Sequence, residues 1–326
     1  MGTSSVQEVT EVARLGAALE AAVGEVVRGK PEAIRLAVIA LLAEGHVLVD
    51  DVPGLGKTSL ARALAVAMGG QVGRIQFTPD LLPADVTGGL VYHQHEGRFD
   101  FRPGPVFAHV VVADEINRAS PKTQSALLEV MAERQVTVDR ASHPTPLPFT
   151  VLATQNPVEM DGTYRLPEAQ LDRFMVRLSM GYPSREAEVD ILRGSTVRSP
   201  ERLQPVTQPA QVSWAIEVVK RLEVHEALYG YIADLCAGTR KAADLRLGAS
   251  PRGGIALLAA ARACAALQGR PYVVPEDLTA LAEPVLAHRM IATPSALREG
   301  RSSAVALKDV LTSVPVPGPG RTRPSH

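Results

Sequence analysis

Val47-Leu48-Val49-Asp50-Asp51-Val52-Pro53-Gly54-Leu55-Gly56-Lys57-Thr58-Ser59 is a short apolar run, two acids, a Pro-Gly turn and then Gly-Lys-Thr opening an Ala/Leu-rich stretch. That order reads as strand, loop and helix with a phosphate cradle between them. Gly54 and Gly56 allow backbone conformations closed to other residues, so successive N–H groups can turn inward on an anion. In such a cradle Lys57 reaches the β- and γ-phosphates, Thr58 ligates Mg²⁺, and the helix N-terminus adds partial positive charge. The candidate phosphate-binding residues are therefore Pro53, Gly54, Leu55, Gly56, Lys57, Thr58 and Ser59. The general pattern G-x-x-x-x-G-K-[ST] asks for Gly at position 51, where this chain has Asp51.

The partner motif lies downstream, in Val110-Val111-Val112-Ala113-Asp114-Glu115. Four small apolar residues running into two acids describe a buried parallel strand that delivers carboxylates at its C-terminal edge. In a phosphate-loop enzyme the first, Asp114, holds Mg²⁺ and the second, Glu115, polarises the attacking water as general base. Together with Gly-Lys-Thr upstream, the pair reads as an ATPase site. Phe149–Ala153 is a further strand, ending in Thr154-Gln155-Asn156-Pro157, and from there the Asn156 amide can reach both γ-phosphate and lytic water.

Composition bounds the rest. Hydrophobic residues make up 46% and charged residues 21%, an ordinary globular balance over 326 residues, enough for two domains. The formal charge is −1 with no long basic run, which argues against nucleic acid as an obligatory partner. Cys236 and Cys264 stand alone in apolar helical context without metal-ligand spacing, and read as small core residues in a reducing compartment. No apolar run approaches membrane-spanning length and no signal-peptide pattern opens the chain, so the expected location is cytoplasmic.

In chain order, residues 1–5 read as disordered. Val6, Val9, Val12, Leu15, Leu19, Val23 and Val26 recur at helical spacing, and Pro31 opens a second helix to about Ala43. Val27, in the segment between them, either lies against the adenine or packs as ordinary helix core. The segment 78–89 is too rich in Pro, Gly and Asp for a regular element. After it, 90–93 and 98–102 suggest a β-hairpin in which His93 and His95 are exposed rather than metal-ligating. Gln135–Val138 begins a second hairpin-like excursion. Arg173, in Leu171-Asp172-Arg173-Phe174, either pairs with Asp172 or projects into a neighbour's nucleotide site, where a cation stabilises the transferring phosphate. Beyond Tyr182-Pro183-Ser184, 184–193, 211–242, a stretch to about Leu267 and one to about His288 read as helices. Ser250 caps the third with Pro251 at N1, so that Arg252 begins a helix and can face a γ-phosphate across a cleft.

With these residues in view, the chain resembles the MoxR family of AAA+ ATPases, in the clade with an insertion in the second helix. The resemblance runs from about Val26 to Arg289. It rests on Asp50–Thr58, Gln76–Thr87, Gly104-Pro105-Val106-Phe107, Ala113–Leu128, Ala153–Pro157, Leu166–Phe174 and Gly248–Arg252. Acid-Val-Pro-Gly before Gly-Lys-Thr is common there, so Asp51 is no departure from this pattern. The resemblance implies Walker A at Pro53–Thr58, Walker B at Asp114 and Glu115, sensor 1 at Asn156, the arginine finger at Arg173 and sensor 2 at Arg252. Whether Arg252 acts on its own nucleotide or a neighbour's stays open.

The implied fold is an α/β core with a five-stranded parallel sheet in residues 6–182, an insert hairpin near 78–104, and a helical lid with its linker in 183–314. Residues 315–326 read as a disordered Pro/Gly/Arg tail. The implied cofactors are ATP and Mg²⁺, and the implied assembly is a hexameric ring with nucleotide between subunits. The implied activity is chaperone-like remodelling of a protein client, including metal insertion, with a von Willebrand factor A domain partner. Two rivals stand beside it: a chelatase-type or nucleic-acid motor, and an ATP-gated binding scaffold with little turnover. The hairpins near 90–102 and 135–149 are the candidate client-facing elements.

Overall fold

Every residue of Val110–Asp114 is buried, as a strand must be when it has neighbours on both edges and helices over both faces. The computed structural model describes residues 3–50, 56–155, 164, 166–182, 185, 188–189 and 200–318. Its strands in chain order are β1 (Val47–Asp50), β2 (Val72–Gln76), β3 (Gly88–His93), β4 (Arg98–Pro103), β5 (Val110–Asp114), β6 (Gln135–Val138), β7 (Ala141–Pro144), β8 (Thr150–Gln155), β9 (Val176–Leu178), β10 (Leu245–Leu247) and β11 (Ile291–Ala292). Five of them form one parallel sheet, ordered β2-β5-β8-β1-β9. The register pairs Asp50 with Gln155 and Gln76 with Asp114. The carboxyl ends of β1, β2, β5 and β8 thus share one edge, where open α/β sheets bind ligands.

Side-chain alternation along these strands divides the core in two. Val47, Val49, Val110, Val112 and Leu152 face one apolar cluster with helices Val6–Val26, Pro31–Leu42 and Lys57–Ala67. Leu48, Val111, Ala113, Val151 and Ala153 face the other, with Phe77, Phe174 and helix Pro121–Glu133. The C-terminal helices Pro209–Lys220, Glu226–Lys241, Pro251–Leu267, Pro275–Leu286 and Ser303–Ser313 contribute to the first cluster, so the helical region shares its core with one face of the sheet.

β3 and β4 form the expected hairpin, with Tyr92 opposite Phe99 and Leu90 opposite Phe101. β6 and β7 form a second, joined to the first where Phe101 stacks on His143 with ring centroids 4.0 Å apart. His93 is exposed and 3.4 Å from Asp100.

Several expectations are corrected. The Pro/Gly/Asp-rich segment contains a short helix, Pro83–Thr87: Pro83 suits its first turn, and the Asp85 carboxylate accepts the Leu82 N–H at 2.9 Å. The stretch 211–242 is two helices, separated where Glu223 bridges to Tyr272. Ser303–Ser313, capped by Ser302, forms an additional helix. At the N-terminus, Ser4 Oγ donates to Val218 O at 2.7 Å and Ser5 caps the first helix with Glu8, so these two residues are anchored rather than disordered. Residues 319–326 of the expected tail, and most of 184–193, lie outside the described residues.

Candidate functional site

Gly56 stands at φ +84°, and the helix Lys57–Ala67 begins at the next residue. This left-handed turn is inexpensive for glycine, and it points the helix N-terminus at the carboxyl edge of the sheet. Thr58 Oγ1 donates to Asp114 Oδ1 at 3.3 Å, and Lys57 Nζ donates to Gln155 O at 3.4 Å. The helix start is thereby tied to the ends of β5 and β8. A cavity of about 390 Å³ joins Gly56, Lys57, Thr58 and Ser59 to Asp114 and Glu115. Two motifs more than fifty residues apart meet at this edge (Thr58 and Asp114, separation 56).

Glu115 leaves β5 at φ +56°, a left-handed conformation that costs a side-chain-bearing residue about 1–2 kcal/mol. Three contacts hold it there. Its N–H donates to Thr154 Oγ1 at 2.9 Å, and its carboxylate accepts from Gln76 Nε2 at 3.2 Å and Arg118 at 3.0 Å. Asp114, itself buried, has its second oxygen occupied by Arg74 Nε at 3.0 Å. Asp114 and Thr58 supply a carboxylate and a hydroxyl side by side, the hard oxygen donors that suit Mg²⁺ when phosphates and waters complete its shell. The donor set fits that ion.

Not every candidate gathers here. Pro53, Gly54, Leu55 and Asn156 lie outside the described residues. The Val27 side chain packs in the main apolar cluster at the end of the first helix. Arg173 donates to the Leu128 carbonyl, and the pairing with Asp172 entertained for it belongs to another residue: Asp172 binds buried Arg289. Arg252 is 3.9 Å from Asp172, and Ser250 Oγ donates to the same carboxylate at 3.2 Å. Arg252 thus lies beside Asp172, before β9, while Arg173 turns to the Leu128 carbonyl, and neither lines the cavity at Lys57 and Asp114.

A larger cleft of about 730 Å³ opens between helix Pro31–Leu42, the ends of β1 and β9, and helices Pro251–Leu267 and Pro275–Leu286. Asp50, the last residue before the loop, faces it, with one carboxylate oxygen buried and unbonded and Arg177 at 3.8 Å from the other.

Sequence reading missed Arg74, Gln76, Arg118 and Thr154. The available signal was the alternation in Val72–Gln76, which leaves Arg74 and Gln76 on the exposed face of the strand beside Asp114.

Residues 46–176 match the family of ATPases associated with various cellular activities (AAA), and residues 237–310 match the AAA lid domain. The chain is 47% identical to the Bacillus subtilis protein YeaC, of uncharacterised function, over 93% of this chain and 95% of that one. It is 41% identical to chaperone MoxR1 of Mycobacterium tuberculosis over 92% and 82% of the two chains, and 35% identical to protein MoxR of Paracoccus denitrificans over 91% and 95%. A solved structure of a candidate ATPase from Cytophaga hutchinsonii superposes with a TM-score of 0.88 at 38% identity, covering 96% of this chain and 98% of that one.

Proposed function

The chain belongs to the MoxR family of AAA+ ATPases, and on that premise we propose that it is a Mg²⁺-dependent, ring-forming ATPase that remodels or matures a protein client. The observation that carries this reading is the meeting of Thr58 with Asp114, beside Lys57 and Glu115, at one sheet edge. Residues 6–182 form the nucleotide-binding core in this proposal, and 183–314 the lid with its linker.

Lys57 and the N–H groups at the head of its helix bind the β- and γ-phosphates. Thr58 and Asp114 would hold Mg²⁺, which would neutralise phosphate charge. Glu115 accepts a proton from water as the water oxygen attacks the γ-phosphorus and the bond to the β–γ bridging oxygen breaks, releasing ADP and phosphate, and Asn156 orients that water. The strained backbone at Glu115, fixed by Thr154, aims the carboxylate before substrate arrives. The larger cleft, lined by Asp50 at the end of β1, takes the base.

Arg173 and Arg252 act on the neighbouring subunit's γ-phosphate. Arg252 beside Asp172 and Arg173 at the Leu128 carbonyl both stand apart from the cavity lined by Lys57 and Asp114, which supports action in trans for both. A hexameric ring would then make hydrolysis depend on assembly. No helix among the described residues is long and apolar enough to cross a membrane, in keeping with a proposed cytoplasmic role beside a von Willebrand factor A domain adaptor. Metal insertion into the client is one form such maturation takes.

The test is nucleotide binding and capture. Lys57→Ala should lose ATP binding, whereas Glu115→Gln should hold ATP without turnover and retain the client or adaptor. Undiminished hydrolysis by purified Lys57→Ala would sink the assignment.

A further inference from the structure

Both oxygens of Asp114 are occupied by the protein's own donors: Oδ1 by the Thr58 hydroxyl at 3.3 Å, and Oδ2 by Arg74 Nε at 3.0 Å. Only 10% of the Asp114 side chain is accessible, against 50% for Arg74. A carboxylate so enclosed needs a countercharge. Arg74 supplies it from the edge strand β2, reaching forward from its register position opposite Val112 and resting on Gln76 Oε1 at 3.4 Å. A divalent cation on Asp114 would meet this guanidinium at close range, where like charges repel strongly.

From this contact we propose that Arg74 is a stand-in cation: it holds Asp114 in the unloaded site and leaves when the metal–nucleotide complex arrives. The exchange is a side-chain rotation and not a strand movement. Next door, a Cβ built on Gly73 would come within 1.9 Å of the Pro105 carbonyl oxygen, so β2 is packed hard against its neighbour. Half of the Arg74 side-chain surface is already exposed to solvent. Arg74 therefore sets the metal affinity of the site, and it keeps the uncompensated charge of Asp114 from repelling phosphate before the metal is in place. This inference rests on Asp114 being the metal's carboxylate.

Two measurements on the full chain test it: Mn²⁺ binding to ADP-loaded protein by electron paramagnetic resonance, and ADP affinity in chelator-treated, metal-free buffer. In Arg74→Gln, Mn²⁺ binding should tighten by about 5-fold or more, while metal-free ADP binding weakens. General damage would weaken both, so the opposed directions separate the proposed role from a structural one. Arg74→Met, which keeps the apolar stem, should behave alike and serves if the Gln variant folds poorly. Unchanged or weaker Mn²⁺ binding in a folded variant overturns the proposal. Asp114→Asn is the control. Wild-type Mn²⁺ binding in that variant would show that Asp114 is not the metal's seat, a failure of the site assignment itself.

Discussion

Arg289, its side chain only 2% accessible, donates to both the carboxylate and the main-chain carbonyl of Asp172, the latter at 2.7 Å. The same guanidinium donates to Phe174 O at 2.7 Å and Val285 O at 2.8 Å. Burial pushes the guanidinium's pKa down, and Asp172 opposes that shift by pairing with it. One residue of the helical region is therefore the internal counter-ion of the segment that carries Arg173. Removing one member of a buried pair strands the other, so Arg289→Met should cost about 3 kcal/mol, read as a lower urea midpoint. Asp172→Asn combined with Arg289→Met should cost less than the two changes summed; strict additivity would show that the pair is not coupled.

Thr154 is 5% accessible and its hydroxyl accepts the N–H of Glu115. Thr154→Val keeps the shape and removes that acceptor, leaving a strained residue without its tether. We expect a stability loss of about 1–2 kcal/mol and a fall in kcat of about tenfold or more, with ATP affinity little changed. An equal loss in affinity and turnover would instead place Thr154 in nucleotide binding.

Acid sensitivity should come from two histidines that titrate low. Burial lowers His46 from 6.5 to about 4, and burial, followed by the charge of Arg289, lowers His288 to about 3. Neutral His46 accepts the Val151 N–H at Nδ1 and donates from Nε2 to Met131 O, a pattern the imidazolium cannot make. A folded-state pKa below the unfolded one means that the unfolded chain takes up the proton first. The stabilisation is whole above pH 6.5 and is lost as pH falls toward 4 for His46 and toward 3 for His288. For His46 the loss is about 3 kcal/mol. Urea midpoints between pH 7 and 4 should fall, and His46→Gln should flatten the slope.

Arg173 makes no claim on Asp172, and its guanidinium is held at the Leu128 carbonyl, a neutral partner that gives it up at modest cost. Arg173→Ala should bind ATP normally and hydrolyse it about a thousandfold more slowly, as when an arginine finger is removed. Mixing it with Glu115→Gln should recover part of the turnover, because each variant supplies what its neighbour lacks. No recovery in rings shown to exchange subunits would return Arg173 to a structural role.

Legibility followed contiguity. Gly56-Lys57-Thr58 and Val110–Glu115 carry their chemistry on neighbouring residues, and the apolar run before each acid marked a strand end. The helix Pro83–Thr87 was hidden by the Pro and Asp that begin it, since the residues that interrupt helices also open them. Ser4 looked free because its acceptor, Val218 O, is 214 residues away.

By itself, the chain's order of residues determined the glycine turn into helix Lys57–Ala67, the carboxylate-bearing strand and the parallel α/β core, because local backbone preference and period-two burial are written into consecutive positions. Only the tertiary structure decided which charge meets which. Asp172 stands beside Arg173 in the chain yet pairs with Arg289, 117 residues on, and Asp114 draws Arg74 from the adjacent strand, 40 residues back. The reason is electrostatic and steric: once the helices dock, the buried carboxylate takes the cation that burial brings to it, and adjacence in sequence places no such demand.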